Sequence, residues 1–523
     1  MDLRRFTCAG LLACSAALVH AAPAAPVVTV GATDIKQLQF DWDAVPRANT
    51  YELWFRANPG AQWAKYSTTI AQRPYFRIGL SVHLLDFPAA RYYVKACNPS
   101  GCSASSEIGV EGLAPDAMGY LKPNGAGNNR WFGHHVALSA DGATLAVLTG
   151  ETLGAQTQSV VVHVYHRTSR TSGWLREARL LPSTVQSFTS DFEHGAPLAL
   201  SGDGSWLALG VFREDAPGIP DPADTGAVYL FHRDSGTWQL AQKISPSVPR
   251  QADWFGYSID MDDPGRTLAV LRQHPNSAAS EYTVEVYRRD SASSAWSRGE
   301  TLPPPAAVAG LATSCGAFSL SGNGLRLLRT CSTGGPPSFV QVLESPVGTS
   351  GWTESARATP STDGFIDANY DGTRFLTNNG YGLFVWALTA SGWSVDANGS
   401  LGGYGLQGCS PDNCAISRDG KFLVEGNPDA VSNDLGPELP PYSPSVAKTG
   451  AVLVWERKAN GWAVRRKVNP GSLNVQGFGR GVALGDNGRI LAVGAPFDPS
   501  AATGIDGDRD DASAPQRGAV WLY

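Results

Sequence analysis

The chain has 523 residues, including 58 glycines and 35 prolines, with 10% aromatic and 17% charged residues. That composition argues against long amphipathic helices and for short strands joined by many turns. The formal charge is −6 and no Lys/Arg-rich run offsets it, which argues against sequence-independent binding to nucleic acid or anionic lipid.

Arg4 and Arg5 precede an apolar stretch from Phe6 to Val19, and Val19-His20-Ala21 fits a cleavage site, so residues 1–21 read as a secretory signal. Leu11-Leu12-Ala13-Cys14 also resembles a lipobox, which sets lipid anchoring at Cys14 beside secretion or release to the periplasm or cell surface. Losing Asp2, Arg4 and Arg5 takes 41 basic and 47 acidic residues to 39 and 46, a charge of about −7. No later segment offers the roughly 18 uninterrupted apolar residues of a membrane helix, so no transmembrane segment is expected. Cys8 and Cys14 leave with the signal. The remaining Cys97, Cys102, Cys315, Cys331, Cys409 and Cys414 form three local pairs, an even count that reads as disulfides in an exported protein. A metal site is the alternative, but no CxxC pair or His cluster joins these residues. Cys315 and Cys331 lie symmetrically about Asn323 in the turn Ser321-Gly322-Asn323-Gly324, so a hairpin there sets them on adjacent strands.

From 26 to 112, apolar and polar residues alternate between turn signals. Leu38-Gln39-Phe40-Asp41-Trp42 and Tyr51-Glu52-Leu53-Trp54-Phe55 have the period of two of half-buried strands, continued by Tyr92, Val94 and Ala96. The stretch resembles bacterial fibronectin type III domains through Trp42 with Pro46 on an early strand pair and through Tyr92 to Ser103 on the last hairpin. It departs from them at Ala90, where many members carry an aromatic. The resemblance implies an immunoglobulin-like β-sandwich serving as a spacer or secondary binding module, with Cys97 and Cys102 stapling its final hairpin.

The rest of the chain repeats itself. Each unit opens on an aromatic-Gly or similar small-residue pair, runs through an apolar strand to a turn ending in Gly, and adds a second apolar strand. After a variable loop come a third strand, such as Gly226-Ala227-Val228-Tyr229-Leu230-Phe231, and a Trp-led fourth segment ending near a Pro. The turn glycines are Gly142, Gly204, Gly265, Gly324, Gly372, Gly420 and Gly488, spaced 48 to 68 residues apart, which makes seven units. Trp174, Trp238, Trp296, Trp352, Trp393 and Trp462 lead the fourth segments, and Pro182, Pro246, Pro304, Pro360 and Pro470 follow eight residues after five of them. Four short strands per unit predict the blades of a β-propeller, each burying its faces only against its neighbours. Their fixed place makes the tryptophans blade packing and not a sugar-stacking array. Unit seven stops at the third-strand motif Gly518-Ala519-Val520-Trp521-Leu522-Tyr523, and Gly119-Tyr120-Leu121-Lys122-Pro123-Asn124 looks like the missing fourth. Pairing of residues near Leu121 with the C-terminal strand is therefore expected to close residues 118–523 into a seven-bladed ring and remove its open edges.

Phe478-Gly479, Gly494-Ala495-Pro496 and Gly518-Ala519-Val520-Trp521 in unit seven, with Trp131-Phe132-Gly133 and Trp254-Phe255-Gly256, resemble the FG-GAP repeat, which is related to the propeller of integrin α subunits. Units four to six lack the opening aromatic. The resemblance implies adhesion and Ca²⁺ held in acidic loops. Asp506-Gly507-Asp508-Arg509-Asp510-Asp511 spaces carboxylates so that a curved loop can aim Asp506, Asp508 and Asp510 at one hard cation, here calcium. It is no EF-hand, since Asp511 and Arg517 stand at its sixth and twelfth positions, and a solvated acidic turn explains the same residues. Longer acidic loops carry Glu214, Asp215, Asp221 and Asp224 in unit two and Asp429 and Asp434 in unit six.

His166-Arg167, His232-Arg233 and Arg288-Arg289 hold equivalent places, which marks strand-end surface positions and no catalytic base. His134, His135 and His194 follow the openings of units one and two and read as structural. No catalytic residue is assigned, for the chain shows no nucleophile elbow, HExxH or phosphate-cradling loop. The reading that follows is an all-β, exported, monomeric, non-enzymatic protein that binds a protein or glycan through the variable loops 211–225, 427–448 and 497–515. The alternative is a propeller glycosidase or lyase with its site in the central channel.

Overall fold

The structure is a computed structural model. It describes residues 21–523 apart from 71–72, 85–88, 111, 114, 125–128, 154–156, 183–196, 220–222, 275–280, 292–294, 307–312, 334–337, 347–350, 360–363, 365–366, 379–381, 402–412, 431–448 and 515. Residues 1–20 of the expected signal, with Cys8 and Cys14, and His194, Asp221, Pro360, Cys409 and Asp434 fall outside the described residues. The chain divides into a small unit (21–31, 39–77 and 87–111) and a large one (32–38, 78–86 and 112–523). Among the described residues no helix is long and apolar enough to cross a membrane.

The small unit follows from its alternation. Phe40 and Trp42, Tyr51 and Leu53, and Tyr92, Val94 and Ala96 point inward and are buried, while the residues between them are partly exposed. Strand Gln37–Trp42 lies between Val28–Asp34 and Tyr75–Gly79, and a second sheet runs Ala64–Ile70, Thr50–Arg56, Arg91–Asn98, Gly101–Ala104. Trp42 meets Tyr51 edge-on, with ring centroids 4.8 Å apart, and Phe40 lies 5.0 Å from Tyr92. Cys97 and Cys102 face each other in the last ladder and are joined by a disulfide.

The large unit is a series of antiparallel sheets whose strands follow chain order from inner to outer, the arrangement of a β-propeller. The strand sets are Leu198–Leu200, Trp206–Val211, Ala227–Asp234 and Thr237–Ile244; then Ile259–Met261, Thr267–His274, Glu281–Arg288 and Ser297–Leu302; then Ser314–Leu320, Arg326–Ser332, Phe339–Glu344 and Thr353–Ala358. Before them stand Val136–Leu138, Thr144–Leu153, Thr157–His166 and Leu175–Leu180, with Asn129–Arg130 added at one end of Thr144–Leu153. After them come Arg374–Asn378, Leu383–Thr389 and Gly392–Leu401, and then Cys414–Ile416, Phe422–Asn427, Ala451–Lys458 and Gly461–Val468. The last sheet runs Gly481–Gly485, Ile490–Ala495, Ala519–Leu522, Gly119–Lys122, Gly504–Ile505, so an early strand sits beside a C-terminal one.

The cores lie between neighbouring sheets. Leu148 and Val162 of one sheet pack with Leu209 and Tyr229 of the next, and Ala208 and Leu230 with Val270 and Tyr287. Trp174, Trp238, Trp296, Trp352 and Trp462 are buried in these clusters, and Trp393 packs against another, partly buried. Between third and fourth strands a bulge recurs at the same place, after Val164, Leu230, Val286, Val342 and Val454, and sharpens the twist of each sheet.

Two backbone features explain the repeated glycines. All seven turn glycines adopt positive φ, which a side chain resists. Each aromatic-Gly opening also docks on the third strand of the preceding sheet: Phe255 bridges Gly226, Phe478 bridges Gly450, and Phe132 bridges Gly518. At Gly518 an added Cβ would stand 2.3 Å from the Phe132 carbonyl, so only glycine fits. The turns are themselves linked by backbone hydrogen bonds, Ala140 N to Gly202 O (2.8 Å), Gly202 N to Asp263 O (2.9 Å), Asp263 N to Gly322 O (2.8 Å), Asn323 N to Tyr370 O (2.9 Å) and Tyr370 N to Arg418 O (3.0 Å). Asp486 N donates to Ala140 O at 2.9 Å, returning the series to its start.

Candidate functional site

The innermost strands are three to seven residues long and hydrogen-bonded along one edge only, so their other edge borders a channel of about 310 Å³. Their middle residues share one register. Reading round, they are Ala137, Ala199, Asp260, Ser319, Ala415 and Ala483, and Asp367, next to the isolated bridge of Ala368 with Phe375, holds the same place between Ser319 and Ala415; all seven line the channel. Two carboxylic acids thus stand in a ring otherwise made of small residues.

Each acid reaches the next sheet. Asp260 Oδ2 accepts from Leu320 N at 2.7 Å and from Ser319 Oγ at 3.2 Å, and its Oδ1 accepts from Met261 N at 2.8 Å. Asp367 Oδ2 accepts from Ile416 N at 2.8 Å and its Oδ1 from Ala368 N at 2.9 Å. Burial pushes the Asp260 carboxyl up to about 6, and burial with the charge of Asp260 pushes Asp367 up to about 7. His135 and Ser258 also line the channel, and no Lys or Arg is among its described lining residues. Two protonatable acids, an imidazole and hydroxyls around one cavity can exchange protons with a bound molecule.

A second cavity, a cleft of about 720 Å³, is walled by Pro428 and Asp429, by the segment Leu473 to Gly477 with Arg480, and by Phe497, Pro499 and Ala512. These residues come from loops that differ between units. Leu473 is 45% exposed there, an apolar side chain held toward solvent at the rim of a cavity with Asn474, Gln476 and Arg480. Arg480 and Val482 lie two residues apart, one lining the cleft and the other the channel.

No family model matches the chain, and no curated protein matches it. Among solved structures it is similar to a Lactobacillus plantarum protein at 13% identity and a TM-score of 0.40, over 81% of this chain and 97% of the other. The periplasmic gluconolactonase of Pseudomonas aeruginosa gives the same values. Prolyl oligopeptidase B of Galerina marginata gives 11% identity and a TM-score of 0.34, over 87% of this chain and 57% of that one. Likeness at this level carries neither activity nor substrate across.

The acidic loop is engaged within the protein. Asp506 N donates to Tyr120 O at 2.7 Å and Asp506 Oδ1 accepts from Tyr120 N at 3.0 Å, Asp508 Oδ1 accepts from Asp510 N at 3.0 Å, and Asp511 Oδ2 accepts from Ala501 N at 2.7 Å. Among the described residues no group of three or more carboxylate, imidazole or thiol side chains gathers as a metal site. Glu214 instead accepts from Tyr229 Oη at 2.6 Å and pairs with Lys243, and Asp215 Oδ1 accepts from Ala223 N and Asp224 N.

The equivalent arginines depart from the surface expectation. Arg167 and Arg289 are buried, Arg167 over the Trp174 ring at 5.0 Å and Arg289 over Trp206 at 4.2 Å, and each donates to the carbonyl of its turn glycine, Gly142 or Gly265. They tie strand end to turn under a tryptophan. His134 and His135 are buried with rings 4.9 Å apart. Cys315 and Cys331 are directly opposite and joined by a disulfide, and Cys414 is also disulfide-bonded. Sequence reasoning missed Asp260 and Asp367. Aligning the inner strands by their turn glycines finds them, as acids where other units have Ala or Ser.

Proposed function

We propose that this is an exported binding protein, a fibronectin type III-like sandwich followed by a seven-bladed propeller of FG-GAP type, which holds a protein or glycan in the cleft between the loops of its last two units. The strand order of the small unit supports the sandwich reading, and the pairing of Gly119–Lys122 with Ala519–Leu522 supports ring closure. The two disulfides suit an oxidising compartment. One observation carries the binding reading: the cleft of about 720 Å³, of ligand size and lined by non-repeating loops with Leu473 exposed at its rim. Glycan and peptide arrays probed with the whole protein test it. Retained ligand that Leu473→Asp and Asn474→Ala release, with melting temperature unchanged, supports the reading. A ligand retained equally by both variants, or none retained at all, defeats it.

A second reading, turnover of a polysaccharide in the channel, is favoured by Asp260 and Asp367 at equivalent positions around one cavity. It requires product formation that Asp367→Asn abolishes in a protein still folded.

A further inference from the structure

In the small unit's sheet of Ala64–Ile70, Thr50–Arg56, Arg91–Asn98 and Gly101–Ala104, alternate residues fill the core, and those between them go to the outer face. A solvated face of this kind ordinarily shows polar side chains alone. Here Glu52, Trp54 and Arg56 lie opposite Lys95, Tyr93 and Arg91 on the two central strands. Trp54 and Tyr93 are stacked with centroids 6.1 Å apart, Trp63 meets Tyr93 at 4.4 Å, and all three rings are partly exposed.

Two cations rest on these rings. Lys95 Nζ is 4.4 Å from the Trp54 centroid and 5.6 Å from that of Tyr93, and the Arg56 guanidinium is 4.9 Å from that of Trp63. A ring orients a cation without cancelling its charge, whereas a carboxylate does both. Glu52 is taken up by Trp54 Nε1 at 2.8 Å and by Lys65 at 3.2 Å, and Glu107 by Arg56 at 2.8 Å. Arg56, Lys65, Arg91 and Lys95 thus outnumber these two acids, on a protein whose formal charge is −6.

We propose that this face binds an acidic glycan, with its carboxylate or sulfate groups against Lys95 and the neighbouring cations and the C–H edges of its sugar rings against Trp54, Trp63 and Tyr93. None of these residues belongs to the cleft of the large unit. Lys95 and Arg91 sit on a strand hydrogen-bonded on both sides, so an acidic peptide meets no open backbone edge beside them. Lys95 and Arg56 already lie over Trp54 and Trp63, where the bases of a single-stranded nucleic acid would have to stack. Exposed ring edges beside cations on a flat sheet suit an extended chain that carries both apolar C–H surface and negative charge.

The test measures retention of the whole protein, at low salt, by polygalacturonate, dextran sulfate, uncharged dextran, polyglutamate and oligo-dT. At least one of the two acidic polysaccharides should retain it and dextran should not. Lys95→Met keeps the alkyl stem and removes the charge, and it should weaken that retention about tenfold, the loss of one charged contact, with melting temperature unchanged. Lys95→Arg should restore most of it. Retention by neither acidic polysaccharide, equal retention of Lys95→Met and parent, or tighter retention by polyglutamate or oligo-dT overturns the proposal. Should Lys95→Met fail to fold, amine labelling of the unaltered protein decides: bound polysaccharide should suppress acetylation of Lys95, and unchanged labelling overturns the site.

Discussion

Leu121 lies opposite Val520 in the antiparallel ladder that joins Gly119–Lys122 to Ala519–Leu522. Both side chains are fully buried, and Phe132, Leu145 and Leu522 pack in the same cluster. The sheet that carries this ladder is extended on its far side by Gly504–Ile505, so the early strand is enclosed by late ones.

Asp506 should matter through that enclosure. Two hydrogen bonds join it to Tyr120, one from its backbone and one to its carboxylate, and loss of the carboxylate takes the acceptor from Tyr120 N. We expect Asp506→Ala to cost about 1–3 kcal/mol and to lower the melting temperature equally in calcium and in EDTA. A loss seen only in calcium assigns the residue to metal binding instead.

Lys122 and Asp498 form a fully buried ion pair at 2.8 Å, and Tyr120 Oη donates to the same carboxylate oxygen at 2.7 Å. Lys122→Met strands that charge and should cost about 3–5 kcal/mol. The exposed pair Lys65 and Glu52, at 3.2 Å, is the control. Lys65→Met should cost under about 1 kcal/mol, and denaturant titration compares the two.

The two described disulfides close chain segments of unequal length, Cys315 to Cys331 across 16 residues and Cys97 to Cys102 across 5. Replacing the first pair with serine should cost about 3 kcal/mol and the second less, because the longer loop regains more freedom on unfolding. Equal losses by calorimetry contradict that account.

His83 gives an acid-side dependence of stability. It is fully buried with Nε2 2.8 Å from Gly488 O, and burial together with the Lys36 charge pushes it down to about 3. The unfolded imidazole takes a proton near 6.5, so its contribution is intact above that pH and lost as pH falls toward 3. By pH 5 the loss should be about 2 kcal/mol, and a His83→Gln variant should show a flatter stability profile between pH 7 and pH 5.

Much of the scaffold could be read from residues whose job recurs. The turn glycines stand out because every unit needs positive φ at one place, and the tryptophans because every sheet needs a large ring at its outer boundary. Tyr51, Tyr92 and Trp42 were legible from alternation alone. Positions that differ between units were not legible. Asp260 and Asp367 occur in two units only, no local motif marks them, and their raised protonation depends on a cavity that exists only after distant segments assemble. The carboxylate spacing at 506–511 says nothing about which backbone groups the folded loop engages, so the bonds of Asp506 to Tyr120 and of Asp511 to Ala501 were not legible. Arg167 and Arg289 misled in the opposite direction, since each is buried against a tryptophan ring whose position beside it the local sequence does not reveal.

Tyr120 and Asp506 are 386 residues apart in the chain. Synthesis runs from the N-terminus, so Gly119–Lys122 is made long before either of its strand partners. Until then an apolar strand waits with bare edges, and joining such distant segments is slow because a long chain must first be gathered. A chaperone that holds the nascent protein has its clearest target there, and a chain clipped ahead of Ala519 leaves that target exposed for good.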